Sequence, residues 1–308
     1  MLREEKISRA SATCRPGNRC ESKNSLKELL AWARNELKTL GAHEARINSE
    51  WLLTELTGFD RVAFYLAAGQ VLSGPKVKKF RTLVAQRKRG VPFSYLTGKA
   101  SFWNEVLEVG SGCLIPRPET EILVEQFIKN TDFDSENSFC FLDLGAGSGA
   151  IGIALLRQYP KGYATFSDVS VSALRFVRRN LKRYDLSGRA EVVRANLFNA
   201  FENRKWDAIV SNPPYLSKGD WKKAGPEILK EPREALDGGE DGFCFYRRII
   251  AEAARHLNVR GWLALEVGIR QAHKVMGWLA QNGFESVNCF KDLRGIDRVI
   301  IARAGSYG

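Results

Sequence analysis

The chain has 308 residues, 44% hydrophobic and 27% charged, enough apolar material for a sizeable core, and this excludes wholesale disorder. No apolar run approaches the roughly 20 residues that span a bilayer, and the N-terminus lacks an apolar signal core, so a cytoplasmic protein without membrane contact is expected. The net charge of +12 is uneven, with 19 Lys and Arg against 11 Asp and Glu in residues 1–110; it favours an anionic partner without naming any chemistry.

Residues 1–23 are polar and aperiodic and are expected to form a disordered basic tail; Glu4, Glu5 and Glu21 sit badly in an organelle transit peptide. From Ser25, a suitable N-cap, Leu26, Leu29, Leu30, Ala33 and Leu37 recur at helical steps until Gly41. Ile47, Trp51, Leu52 and Leu56 predict the inner face of a second helix, ended by Gly58. Asp60 is placed to cap a short third helix holding Val62, Phe64 and Tyr65. Pro75 opens a fourth, with Val77, Phe80, Leu83 and Val84 inward. Residues 24–90 therefore read as a small helical bundle domain. Its last helix carries Lys76, Lys78, Lys79, Arg81, Arg87, Lys88 and Arg89 without an intervening acid. A solvated face is the plainer account of that run, and a contact patch for RNA or an acidic protein the sharper one.

Residues 91–118 look extended and turn-rich, a linker with a β-hairpin, in which alternation over 103–109 stands out. Pro116 and Pro118 halt regular structure, and helical spacing resumes over 119–128. The apolar runs 139–144, 163–166, 190–193, 208–211 and 262–267 alternate with helical stretches, as buried parallel strands do. Residues 284–290 and 298–302 are joined by a short polar connection without a helix, which predicts a final antiparallel hairpin. The fold class is α/β, with a Rossmann-like, mostly parallel seven-stranded sheet over residues 119–308 behind the helical bundle. Six cysteines and three histidines are scattered without zinc-ligand spacing, so reduced thiols and no metal site are expected.

Phe141-Leu-Asp-Leu-Gly-Ala-Gly-Ser-Gly-Ala150 places Gly145, Gly147 and Gly149 between an apolar strand and a helix. Such a loop lets the backbone approach a ligand, while the helix N-terminus adds donors and a positive dipole end. It also satisfies the dinucleotide pattern, so a nicotinamide and an S-adenosylmethionine (SAM) enzyme stay equal here. Asp168 ends the next strand, where a carboxylate accepts from both ribose hydroxyls; capping the following helix is the competing role, which Ser170 also suits.

Ala208-Ile-Val-Ser-Asn-Pro-Pro-Tyr215 breaks the tie. Neither proline donates to a sheet, and each pushes its predecessor towards extended geometry, which fixes Asn212 at a strand's carboxyl end. The Asn212 side-chain carbonyl and the Pro213 backbone carbonyl form a fork that accepts both hydrogens of a planar NH2 group, and Tyr215 is placed to stack on its π system. The glycine loop followed by Asn212-Pro213-Pro214-Tyr215 resembles SAM-dependent methyltransferases acting on planar nitrogens. More narrowly, Leu114-Ile-Pro-Arg-Pro-Glu-Thr-Glu121, Tyr95-Leu-Thr-Gly98, Glu231-Pro-Arg-Glu-Ala-Leu236, Gly238-Gly-Glu-Asp-Gly242 and Asp297-Arg298 resemble the peptide chain release factor N(5)-glutamine methyltransferases, the PrmC/HemK family.

The resemblance implies a SAM-methyltransferase domain in which Gly145, Ala146, Gly147, Ser148 and Gly149 wrap the SAM carboxypropyl group and ribose. Asp168 would hold the ribose hydroxyls, and Asn196 and Leu197 would flank the adenine, the latter without the stacking that an aromatic gives. Asn212, Pro213, Pro214 and Tyr215 would bind the substrate glutamine amide, with Asn212, Pro213 and Tyr215 catalytic and Asn212 also near the methyl donor. The implied partners are class-I release factors, methylated on the glutamine of a Gly-Gly-Gln loop, with S-adenosylhomocysteine as product and the N-terminal domain as docking element. Arg117 and Glu119 are expected to pair with each other over the pocket. A monomer is expected. An adenine-N6 methyltransferase on RNA or DNA is the alternative, since the same fork reads an adenine amino group and direct nucleic-acid binding suits the charge. A non-catalytic SAM-sensing module is a third reading, disfavoured by the intact fork.

Overall fold

A computed structural model describes residues 24–305, so the expected tail at residues 1–23 lies outside the described residues. The chain divides into two compact units that meet between Arg89 and Gly90.

The first unit holds α1 (Leu26–Glu36), α2 (Ala42–Thr57), α3 (Arg61–Leu66) and α4 (Gly74–Lys88). Ser25 caps α1 in a reciprocal capping box with Glu28, Gly58 ends α2 in the left-handed region, and the Asp60 side chain accepts from the Ala63 N–H. Leu26, Leu29, Leu30, Ala33, Leu52, Leu53, Phe80 and Val84 make the core. The inner face of α2 departs from expectation. Trp51 is 58% exposed, while Asn48, Ser49 and Glu50 are buried. Polar partners on neighbouring helices turn α2: Arg87 Nε donates to Asn48 Oδ1 at 2.7 Å, and Arg34 reaches Glu50 at 2.7 Å. A buried amide or carboxylate so paired avoids the cost of desolvation without a partner. Arg87 therefore leaves the basic face of α4, and on α3 Phe64 is buried while Val62 and Tyr65 are exposed.

The second unit opens with α5 (Phe93–Thr97), a helix where extended chain was expected. Pro92 accepts its first bonds, and Gly98, at φ 74°, ends it. An antiparallel hairpin follows, β1 (Lys99–Phe102) with β2 (Glu105–Glu108). Then come α6 (Pro118–Asn130), β3 (Cys140–Leu144), α7 (Ala150–Gln158), β4 (Tyr163–Asp168), α8 (Val171–Arg183), β5 (Ala190–Arg194), β6 (Trp206–Ser211), α9 (Lys218–Trp221), α10 (Cys244–Ala253), β7 (Leu257–Glu266), α11 (Ala272–Gln281), β8 (Phe284–Lys291) and β9 (Asp297–Ala304).

The last seven strands form one sheet in the order β5-β4-β3-β6-β7-β9-β8. The first five are parallel, and β9 runs antiparallel to both of its neighbours. Both faces are covered. Phe141, Phe166, Ala208 and Val210 pack on the side of α6 and α7, and Leu142, Ile209 and Leu263 on the side of Tyr246 and Val275. Burial on both faces explains why β3 and β6 read as continuous apolar runs. The chain winds outward from β3 to β5 and then crosses back to β6, so the order reverses between β3 and β6. Open α/β sheets bind ligands in the crevice at such a reversal.

Candidate active site

Register places the two sequence motifs side by side. β3 pairs with β6 through Phe141–Ala208, Leu142–Ile209 and Asp143–Val210, and the Ser211 hydroxyl donates to the Leu144 carbonyl at 2.7 Å. The glycine loop and Asn212-Pro-Pro therefore leave adjacent strand ends together. They border a cavity of about 550 Å³.

Of the predicted residues, Gly145, Ala146, Gly147, Ser148, Asp168, Asn196, Leu197, Asn212, Pro213 and Pro214 line this cavity. Gly149 and Tyr215 do not. Gly149 is the N-cap of α7 at φ 82° and faces inward, where a Cβ would come within 3.2 Å of Ile153. Tyr215 lies beside the cavity, its hydroxyl donating to Glu266 Oε1 at 3.2 Å.

The loop suits a ligand approached by backbone. The Gly145 and Ala146 N–H groups donate to the Ser167 carbonyl at 2.8 and 2.9 Å, drawing the loop over the end of β4. Gly145 and Gly147 have positive φ, and a Cβ at either would meet open space, so their bare edges form a cradle for a ligand. Asp168 Oδ2 accepts from the Gly147 N–H at 2.9 Å and Oδ1 from the Ser170 N–H at 2.8 Å. The cap of α8 is Ser170, whose hydroxyl accepts from the Ala173 N–H, so Asp168 shapes the loop instead. Ser167 is among the residues that line the cavity, and its hydroxyl is buried without a hydrogen-bond partner.

At the far end the Asn196 side-chain oxygen accepts from Arg248 at 3.0 Å, and Phe245 and Arg248 join Leu197 in the wall. Leu197 holds φ 55°, a conformation that costs a leucine energy and is found at ligand clamps.

Several residues outside the predicted set complete the site. Arg117 pairs with Glu231 at 2.5 Å, and Glu119 with Arg294 at 2.7 Å, which corrects the expected Arg117–Glu119 pair. Arg117 precedes α6 in extended backbone while Glu119 lies in its first turn, and the two side chains diverge. Glu231 also accepts from the Ile115 N–H at 3.0 Å, which ties the proline-rich linker to the segment 232–237 that forms one cavity wall. Gly238 and Gly242 let the following turn press on the backbone of Tyr215; a Cβ at these positions would approach it to 2.8 and 2.5 Å.

Asn212 Nδ2 donates to Thr120 Oγ1 at 3.0 Å, and Thr120 donates to Glu266 Oε2 at 2.5 Å. Glu266 has no exposed surface. Burial pushes its carboxyl up to about 7, against the opposing bond from Thr120 and the nearby Arg298. Asp143, also buried, is pushed up to about 7 although the Gly152 N–H holds its charged form. Burial likewise keeps the Cys113 thiol and the Tyr215 phenol protonated. Among the described residues no group of three or more His, Cys, Asp and Glu is arranged to hold a metal, and no helix is long and apolar enough to cross a membrane.

The two raised carboxyls make stability fall as pH rises. Each keeps its proton in the folded protein up to about 7 and loses it in the unfolded chain near the ordinary 3.8 or 4.5, so between those limits the native state binds more protons. The urea midpoint is expected to drop from pH 5.5 to pH 7.5, and to drop less in Glu266→Gln; an equal drop in that variant would contradict the assignment to Glu266.

Residues 118–243 match the family model described as methyltransferase small domain, and residues 28–98 match the one described as PrmC N-terminal domain. The release factor glutamine methyltransferase of Geobacter sulfurreducens is 37% identical over 284 residues, covering 91% of this chain and 97% of the relative. That of Aquifex aeolicus is 34% identical over 285 residues, covering 92% and 98%. Among solved structures, the hMettl16 catalytic domain in complex with an RNA hairpin aligns with a TM-score of 0.51 at 17% identity, over 78% of this chain and 86% of that one. At that identity it shares the fold alone.

Proposed function

The chain belongs to the release factor glutamine methyltransferase family, and we propose that it methylates the side-chain amide nitrogen of the glutamine in the Gly-Gly-Gln loop of class-I peptide chain release factors. SAM is the methyl donor and S-adenosylhomocysteine the product. One observation carries the assignment to these residues: Asn212 and Pro213 share a cavity wall with the glycine loop of the adjacent strand.

Bound SAM supplies a methyl group on a positively charged sulfur. Gly145, Ala146, Gly147 and Ser148 cradle its amino-acid portion, Asp168 receives the ribose hydroxyls, and Asn196 and Leu197 border the adenine. Gly149 serves from behind by starting α7. The Asn212 Oδ1 and the Pro213 carbonyl each accept one hydrogen of the substrate amide. Tyr215, held at its hydroxyl by Glu266, borders the acceptor side.

An amide nitrogen is a feeble nucleophile because its lone pair is delocalised. Gripping both hydrogens lets the nitrogen leave the amide plane as positive charge develops, which is stabilisation specific to the transition state. The nitrogen takes the methyl group as the methyl–sulfur bond breaks and its electron pair stays on sulfur; the methylated, positively charged amide nitrogen is strongly acidic and gives one hydrogen to solvent water as a proton. Alignment for in-line displacement contributes up to roughly 7–11 kcal/mol. The helical domain at residues 24–90 is the docking element for the release factor.

Purified protein with labelled SAM is expected to label a class-I release factor, and Gln→Asn in its Gly-Gly-Gln loop is expected to abolish labelling. Label in RNA with none in the factor would transfer the assignment to the adenine-N6 alternative.

A further inference from the structure

We infer that Thr120 and Glu266 are positioning residues that set which end of the Asn212 amide faces the acceptor. The inference rests on the proposed reaction at an amide nitrogen. It follows from counting hydrogens along a buried chain of polar atoms.

Above about pH 7, where Glu266 gives up the proton that burial holds, its carboxylate can only accept, and it does so twice: from Thr120 at Oε2 over 2.5 Å and from Tyr215 at Oε1 over 3.2 Å. The Thr120 hydroxyl has a single hydrogen, and the carboxylate takes it. Towards Asn212, Thr120 therefore only accepts, so the atom facing it at 3.0 Å must be the donor Nδ2. The opposite end, Oδ1, is left for the cavity that Asn212 lines. A flipped amide would set NH2 against NH2 and remove half of the fork.

Nothing inside the Asn212-Pro-Pro-Tyr segment enforces this choice, because both ends of an amide have the same shape. The information arrives from α6 and from the end of β7, 146 residues apart in sequence, at side chains 4% and 0% exposed. Tyr215 closes the chain on the other oxygen, so one carboxylate orders two members of the acceptor site.

Thr120→Val keeps the shape and removes the hydroxyl; Thr120→Ser keeps the hydroxyl. At pH 8, where Glu266 is ionised, and with release factor and SAM saturating, Thr120→Val is expected to lower kcat about 10- to 100-fold, the range for losing one hydrogen bond to a charged centre, with the Kd for SAM changed less than about twofold. Thr120→Ser is expected to restore kcat to within about threefold of wild type. In wild-type protein without substrate, the Asn212 side-chain NH2, identified by its absence in Asn212→Asp, should exchange slowly with water by NMR and should exchange fast in Thr120→Val. Fast exchange in the wild type, an unchanged kcat in Thr120→Val, or a Thr120→Ser variant as slow as Thr120→Val would each overturn the positioning role. Absence of methyl transfer by the wild-type protein would instead overturn the proposed reaction, and the positioning role with it.

Discussion

Asn212→Ala is expected to lower the single-turnover rate of methyl transfer by about 10²- to 10³-fold while the Kd for SAM moves less than about threefold. The variant removes one of the two acceptors that hold the amide hydrogens, and that contact strengthens only as the nitrogen becomes positive. The glycine loop and Asp168 hang from β3 and β4, not from β6, so the donor pocket keeps its walls. Thr120 loses a donor but still gives its own hydrogen to Glu266, so no buried donor is stranded. Rapid-quench measurements with saturating SAM, paired with calorimetric titration of SAM, separate the two effects. Near-normal turnover in Asn212→Ala would remove the fork from the mechanism.

Asp168→Ala is expected to act on the other half of the site, raising the Kd for SAM by about 100-fold or more. Two losses add up. The ribose hydroxyls lose their charged acceptor, and the Gly147 and Ser170 N–H groups, now bound at 2.9 and 2.8 Å, lose theirs. Hydrogen bonds to a charged group contribute about 1.5–3 kcal/mol each, so losing the ligand-facing share alone accounts for that change. Once SAM is saturating, the methyl-transfer rate should fall far less than in Asn212→Ala. Asp168→Asn, which keeps one acceptor, should lie between. An unchanged Kd in Asp168→Ala would leave Asp168 with a purely structural place in the loop.

The contrast between these variants mirrors what the sequence disclosed. Both motifs sit where a strand ends, and strand ends are legible: glycines at 145 and 147 weaken a strand, prolines at 213 and 214 cannot donate to one, and apolar runs behind them mark buried parallel strands. Local chemistry also announced the caps at Ser25 and Asp60. Long-range polar partners were not legible. Thr120 reads as an ordinary first-turn residue, and Glu266 as the charged end of an apolar run; their meeting depends on packing α6 against β7. The same holds for Arg117, whose partner Glu231 lies 114 residues away and not on the neighbouring turn. On α2 the apolar spacing misled, because Arg34 and Arg87 come from other helices to draw Asn48 and Glu50 inward. The motif Gly238-Gly-Glu-Asp-Gly242 was recognisable without its reason, which is the close approach of its glycines to Tyr215.

The most direct measurement is a crystal structure of the protein with S-adenosylhomocysteine and a release factor bound together. The glutamine amide nitrogen is expected about 2.7–3.2 Å from both the Asn212 side-chain oxygen and the Pro213 carbonyl, facing the sulfur along the line the methyl group occupies. A complex in which the glutamine enters the cavity while Asn212 turns its side chain away from that nitrogen would contradict the account.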